Sequence, residues 1–416
     1  MSHKKAEPRV FVPAFPTVRP EMLFRRGRAL TEYPFSAPSA RYFYFARNAV
    51  WRIVRMLGLE GGEVLVPAYH HGVEIEALLD AGARVRFYRV GPQWDTDVED
   101  VARKIGPATR ALYLTHFGGF PGPVREMKAL AERHGLPLIE DCALSLFSAD
   151  GDRPLGVTGD VAVFCLYKVL AVPDGGLLVW NGTPSERVVH AEAEARLPPP
   201  PLSSTLSVLG ASLLRNVALR GGRPGRMVRR LALGAGKRAL SASKVEPVLT
   251  GTQHFNRDHI KLGVSGLTRR LLRAQDVAGI VARRRRNYLF LLECLRDLSP
   301  PLFETLPPGV VPLCYPMLVD DNRRVMEQLV ARGVEAVDFW REGHPACDIS
   351  EFPDVARLRR SVVEVPCHQD VTLETLARVV DAIREVLTAE PHRVQVTVAR
   401  EPERRPAERD VHWVSR

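Results

Sequence analysis

The chain has 416 residues, 45% apolar and 25% charged, which excludes a disordered or fibrous protein and leaves room for a large domain plus a smaller one. Six cysteines, at 142, 165, 294, 314, 347 and 367, show no paired CxxC spacing, which argues against a zinc ribbon or disulfide framework and fits a reducing cytoplasm. The net charge of +10 is local: no acidic residue lies between Glu194 and Glu246, and Arg196, Arg215, Arg220, Arg223, Arg226, Arg229, Arg230, Lys237, Arg238 and Lys244 fall in that gap.

The opening MSHKKAEPRVFVPAF lacks an apolar core of the signal-peptide kind, and no run of 18 apolar residues occurs, so neither a secretion signal nor a membrane-spanning helix is expected. Residues 1–40, rich in proline and arginine, read as an irregular arm. Helical apolar spacing begins in RNAVWRIVRMLGL (47–59) and stops near Gly61-Gly62. Then strands and helices alternate. VLVPA (64–68) is a strand and VEIEALLDAG a helix; RVRFYRV (84–90) is a strand and DVEDVARKI (97–105) a helix. ALYLTHF (111–117) is a strand, VREMKALAERHG (124–135) a helix, and LPLIEDC (136–142) a strand. DVAVFCLY (160–167) and GLLVW (176–180) follow, with a turn at Pro173-Asp174-Gly175-Gly176 between them. This alternation predicts an α/β fold with a mainly parallel sheet covered on both faces.

RLPPPPLSS (196–204) reads as a linker, and 205–242 is basic, apolar and interrupted by glycine. Helix resumes near Ser265 and runs through VARRRRNYLFLLECL; the four arginines 283–286 read as a solvated face or partner contact. From Val310 a small α/β unit appears: strand VPLCYPMLV, helix NRRVMEQLVARG, strand VEAVDFW and helix LETLARVVDAIREVL. The expected organisation is therefore an arm (1–40), a large domain (41–290) with a basic insertion (197–250), a small C-terminal domain (291–390), and a frayed tail (391–416).

In open α/β sheets, ligands bind beyond the carboxyl ends of the strands. Asp141 follows LPLIE, Lys168 follows VFCLY, Tyr69-His70-His71 follow VLVPA, and Asn48 opens the first helix, where free N–H groups favour an anion. A lysine, a carboxylate, an aromatic or imidazole face and a phosphate seat suit pyridoxal phosphate. Taken singly, each has a plain structural alternative: a strand-end lysine with its stem on apolar surface, a helix-capping aspartate, a core histidine.

Four runs in order then resemble the DegT/DnrJ/EryC1/StrS family of sugar aminotransferases, pyridoxal-phosphate enzymes of fold type I. They are VLVPAYHHGVEIEALLDAGARVRFYRV, GPATRALYLTHFGGFPGPVREMKALAERHGLPLIEDCA, GDVAVFCLYKVLAVPDGGLLV and VEVPCHQDVT. The resemblance implies a seven-stranded-type sheet, Lys168 as the covalent anchor of the cofactor, Asp141 as partner of its pyridine nitrogen, and His71 in the place of the ring-stacking aromatic. Arg47 and Asn48 stand where the family's phosphate-cradling Gly-Thr pair would be. Cys165 stands at a serine that often bonds phosphate, and Lys261 replaces an asparagine that reaches the phosphate across a dimer. Leu144 replaces the family's usual Gln or His near the cofactor's phenolic oxygen.

The resemblance further implies a homodimer in the cytoplasm. Its substrates would be an amino donor, usually glutamate, and a keto sugar on a nucleotide, in polysaccharide or glycoconjugate biosynthesis. Leu144, Cys165 and Lys261 motivate an alternative: a catalytically silent partner of the same fold, or a membrane-associated protein of such a pathway. The basic insertion has three readings: a dimer or substrate-covering element, a disordered loop, or a peripheral membrane contact through 205–242. No nucleic-acid-binding motif accompanies the charge, and the chain offers no expected metal site.

Overall fold

The computed structural model describes residues 10–182, 197–240, 255–338 and 340–388. Seven strands form one sheet: β1 (Arg41–Phe43), β2 (Glu63–Pro67), β3 (Arg84–Tyr88), β4 (Thr109–Thr115), β5 (Leu138–Asp141), β8 (Val161–Cys165) and β9 (Gly176–Trp180). A two-residue hairpin, β6 (Ala149–Asp150) and β7 (Arg153–Pro154), lies outside it. The spatial order is β1-β9-β8-β5-β4-β2-β3. The five strands from β3 to β8 are parallel, and β9 and β1 add antiparallel at the end. VAVFC and LIED are buried at every position, as strands covered on both faces must be. At the far edge, β3 alternates exposed Arg84 and Arg86 with its inward residues, and the opposite edge strand β1 is only three residues long.

Helices α1 (Ala46–Leu57), α2 (Val73–Asp80), α3 (Val98–Lys104) and α4 (Val124–Arg133) link the strands. Gly58 ends α1 in the left-handed conformation at φ 65°, three residues before the glycine pair that the apolar spacing marks as the stop. Gly176 of β9 lies against the Phe45–Ala46 backbone, where a Cβ would collide. That close approach seats the start of α1 on the sheet. The Pro173–Gly176 turn is anchored from outside. Asp174 is buried, and its Oδ1 accepts from Ser265 N (3.0 Å) and Thr268 Oγ1 (2.9 Å) at the start of α7 (Gly266–Leu272).

The second lobe holds a three-stranded antiparallel sheet, β10 (Cys314–Leu318), β11 (Val337–Asp338) and β12 (Val362–Pro366), with β12 central. It is packed by α8 (Val277–Leu295), α9 (Asn322–Ala331), α10 (Pro353–Ser361) and α11 (Leu373–Thr388). Helix α8 joins the lobes: Ile280 packs in the first core, while Tyr288, Leu291, Leu292 and Leu295 pack in the second. The arm reaches the small lobe as well, where Val12 bridges Val334.

The basic stretch forms a helical hairpin, α5 (Leu202–Arg220) and α6 (Gly222–Leu240), where sequence had left loop, cover and membrane readings open. Residues 202–240 are thus ordered helix; Arg196, Lys244 and the expected tail at 391–416 lie outside the described residues. Helix α5 corrects one expectation: it is long and apolar enough to cross a membrane, because serine, glycine and alanine dilute its leucines without adding charge. It is nonetheless tied to the body. Ser212 Oγ accepts from Val18 N (2.7 Å), Asn216 Nδ2 donates to Thr17 Oγ1 (2.8 Å), and the hydroxyls of Ser204 and Tyr44 lie 2.9 Å apart.

The four-arginine run is a second correction. Arg284 is fully buried. Its Nε donates to Gln369 Oε1 (2.9 Å), Nη1 to the Pro312 and Leu313 carbonyls (3.1 and 3.0 Å), and Nη2 to the Lys168 carbonyl (3.2 Å). Arg285 reaches the carbonyls of Pro307 and Val310 at 2.8 and 2.6 Å.

Candidate active site

A pocket opens at the carboxyl end of the large sheet. Its walls include Arg47, His71, Asp141, Leu144, Cys165, Lys168, Tyr167 and Trp340. Each side chain arrives by a different route. Asp141 is the last residue of β5 and Cys165 the last of β8; Lys168 follows three residues later; Arg47 is in the first turn of α1; His71 lies between β2 and α2.

Asp141 is buried. Tyr113 Oη donates to its Oδ2 (2.8 Å), and Ala143 N donates to its Oδ1 (2.9 Å). Burial raises its pKa, while those two bonds, the Lys168 ammonium and His116 pull the other way. His71 is pulled down to about 3, first by desolvation and then by Lys168, Arg47 and Arg359, so it presents a neutral ring at any working pH. Its backbone N–H donates to Glu74 Oε1 (2.9 Å), and its ring meets Trp340 edge-on at 6.3 Å. Glu74 is buried beside the pocket, and desolvation raises its pKa, aided by Asp141.

Arg47 lies over the Phe45 ring, 4.2 Å from its centroid. The pocket region holds a group of buried polar atoms without hydrogen-bond partners among the described residues: Arg47 Nε, both amide atoms of Asn48, and His71 Nδ1. Such atoms cost about 1–3 kcal/mol each when left unmet, so their clustering marks a place built for a polar guest. A guanidinium and a carboxamide in the first turn of a twelve-residue helix suit a phosphate, and a buried carboxylate with a lysine across the cavity suits a protonated ring nitrogen and an aldehyde. The residues present therefore fit pyridoxal phosphate.

Arg47, His71, Asp141, Cys165 and Lys168 line one cavity, and Asn48 is buried beside Arg47 behind its wall. Lys261 is not brought there: it is exposed at the end of the turn Arg257–Lys261 and does not line the pocket of its own chain. Leu144 is buried in the wall with no hydrogen-bonding side chain to offer. His116 is no pocket residue. It is fully buried, its Nδ1 accepts from Gly122 N (2.9 Å) and its Nε2 faces Glu140 Oε2 (3.0 Å). Glu140 also accepts from the backbone of Gly156, Thr158 and Gly159. The grouping of His116, Glu140 and Cys142 is thus a satisfied hydrogen-bond network rather than an open metal seat.

Three features had no usable signal in the sequence. Glu364 of β12 is buried, and desolvation pushes its pKa up to about 7, with the Lys168 ammonium opposing. Arg359 of α10 donates to the carbonyls of Ala68 and His70 at 3.1 Å each and to that of Trp340, tying both walls of the pocket together. Arg284 holds the Lys168 backbone carbonyl, as described above. All three depend on the second lobe or on α8 folding back over the first.

The fold matches solved aminotransferases along nearly its whole length. Aminotransferase TlmJ from Streptoalloteichus hindustanus superposes with a TM-score of 0.63 at 22% identity, covering 92% of this chain and 99% of that one. An aminotransferase of Helicobacter pylori involved in pseudoaminic acid biosynthesis gives 0.64 at 14%, covering 92% and 100%. Spr1654 of Streptococcus pneumoniae, solved in a PMP form, gives 0.66 at 13%, covering 90% and 98%. At such identities these likenesses speak for the fold alone, which this chain shares with these aminotransferases. Residues 48–190 match the DegT/DnrJ/EryC1/StrS aminotransferase family. Among curated relatives, GDP-perosamine synthase of Vibrio cholerae is 33% identical over 125 residues, 29% of this chain and 34% of that protein. A dTDP-4-dehydro-2,3,6-trideoxy-D-glucose 4-aminotransferase of Saccharopolyspora spinosa is 36% identical over 133 residues, 31% and 34%. The matched stretch spans about a third of each of these relatives, and the family match at 48–190 contains Asp141 and Lys168.

Proposed function

We propose that the protein is a pyridoxal-phosphate-dependent aminotransferase that moves an amino group from a donor such as glutamate to a keto sugar carried on a nucleotide. The observation that carries the reading is the cavity that joins Lys168, Asp141, His71 and Arg47, with the buried Asn48 next to Arg47 bearing unmet hydrogen-bonding atoms. The sugar class rests on those relatives whose names give GDP-, dTDP- or UDP-linked sugars; others are named for scyllo-inosose or its 2-deoxy form.

When bound, the cofactor supplies an electron sink that lets a C–N bond form or break at the substrate carbon. The chain's own residues do the rest. Arg47 and Asn48 would hold the phosphate at the start of α1. Asp141, held by Tyr113 and Ala143, would keep a proton on the ring nitrogen. Neutral His71 offers a flat face to the ring. Lys168 would anchor the cofactor covalently, and its Nζ would carry a proton to or from the substrate carbon. Arg284 fixes the backbone from which that amine projects. A homodimer would complete the site if Lys261 of each subunit served the other.

Borohydride reduction of the purified protein, followed by peptide mapping, tests the reading. The pyridoxyl group is expected on Lys168, and glutamate is expected to bleach the visible absorbance. A tag on another lysine, or none, overturns it. A tag on Lys168 with colour that no amino donor changes favours instead a catalytically silent member of the fold, for which Leu144 in the cofactor wall is the motive.

A further inference from the structure

We infer that the α5–α6 hairpin, with the adjoining Pro20–Arg28 loop, is a docking surface for an anionic lipid bilayer. Three observations meet there. First, both helices leave large apolar side chains uncovered. Leu202 and Leu206 on α5 are 71% and 53% exposed, and Met227, Val228 and Leu231 on α6 are 61%, 51% and 63% exposed. Pro224, Met227, Val228 and Leu231 follow a helical i, i+3/i+4, i+7 spacing, so they form one stripe. Second, Arg223 and Arg230 are exposed, border that stripe and have no ion pair among the described residues. The hairpin itself contains no Asp or Glu. Third, the loop after Pro20–Leu23 brings Phe24, 79% exposed, with Arg25, Arg26 and Arg28 beside it. A contact from Arg220 to Glu21 (3.9 Å) sets this loop against the end of α5.

An apolar stripe bordered by arginines is the chemistry of a helix lying in a bilayer surface, with side chains in the acyl boundary and guanidinium groups among phosphates. A second copy of the chain meets the same patch less well. A two-fold contact would face the patch with itself and bring like charges together. A spanning role for α5 is disfavoured by its polar ties to Thr17, Val18 and Tyr44, which hold it on the protein body. The surface is separate from the pocket, so docking would deliver an amino-sugar product near a bilayer without altering its chemistry.

Flotation of the full chain with vesicles tests this. Binding is expected to phosphatidylserine–phosphatidylcholine vesicles and not to phosphatidylcholine alone, with release by high salt. The R223Q/R230Q variant should lose binding on the order of twenty-five-fold, about fivefold per arginine. M227Q/L231Q should lose it as well while remaining folded by circular dichroism. Binding that ignores lipid charge, or that survives salt and yields only to detergent, overturns the inference. So does no binding, or M227Q/L231Q changing the oligomeric state while leaving vesicle binding intact. Loss in the arginine variant with full retention in M227Q/L231Q would point to a soluble polyanion and also overturns it. None of these outcomes depends on transaminase activity, so the docking surface and the proposed reaction stand or fall separately.

Discussion

Replacing Glu364 by glutamine removes a carboxyl group that the fold buries between β10 and β11, on the central strand of the small sheet. Its pKa is pushed from the ordinary 4.5 to about 7 by desolvation. The folded protein therefore holds this proton more tightly than the unfolded chain does. Stability is lost as the pH rises from about 4.5 through 7, and the loss is complete above that. A carboxyl titrating near 7 costs the folded state about 3 kcal/mol once fully ionised. Glutamine keeps the shape and never ionises. In cofactor-free protein, the E364Q variant should therefore gain on wild type by about 3 kcal/mol between pH 4.5 and 8. In thermal melts this should appear as a gap of a few degrees that opens with pH and then stays level. A gap that is constant across this range would refute the reasoning, because it would mean that Glu364 titrates alike in folded and unfolded chains.

Changing Arg47 to methionine or Asn48 to leucine should each weaken pyridoxal-phosphate binding about tenfold to a hundredfold, since a hydrogen bond to a charged group is worth about 1.5–3 kcal/mol; titration by fluorescence quenching reads this directly, and the inorganic phosphate that competes for the site should lose affinity in parallel. Replacing Arg284 by methionine strands the Pro312, Leu313 and Lys168 carbonyls that it now serves, so a destabilisation of at least about 3 kcal/mol is expected in denaturant unfolding, and R284K should recover only part of it. Across pH 5–8 the cofactor's absorbance should show no transition due to His71, because that ring is already neutral.

The large sheet was readable because its helices and strands differ in period: VFCLY and LPLIE are continuous apolar runs, while VREMKALAERHG spaces its apolar residues for one face. Strand ends could therefore be located, and with them Asp141 and Lys168. What sequence could not supply was long-range pairing. Strand β1 is three residues of ordinary composition and exists because β9 offers it an open edge. Arg284 sits in a run of four arginines, and only the fold distinguishes the one turned inward from its neighbours. Glu364 carries no local mark at all, since its altered acidity comes first from the burial that the folded small sheet imposes.

The two margins of the large sheet bear on how copies of this protein can meet. One margin is studded with the guanidinium groups of Arg84 and Arg86, and the other is a strand of three residues. Neither offers a long, bare ribbon of peptide groups for a neighbour's backbone to join. Assembly at this sheet's margins must then use helix faces and loops, and the large sheet is spared the runaway strand addition to which an unguarded margin would expose it.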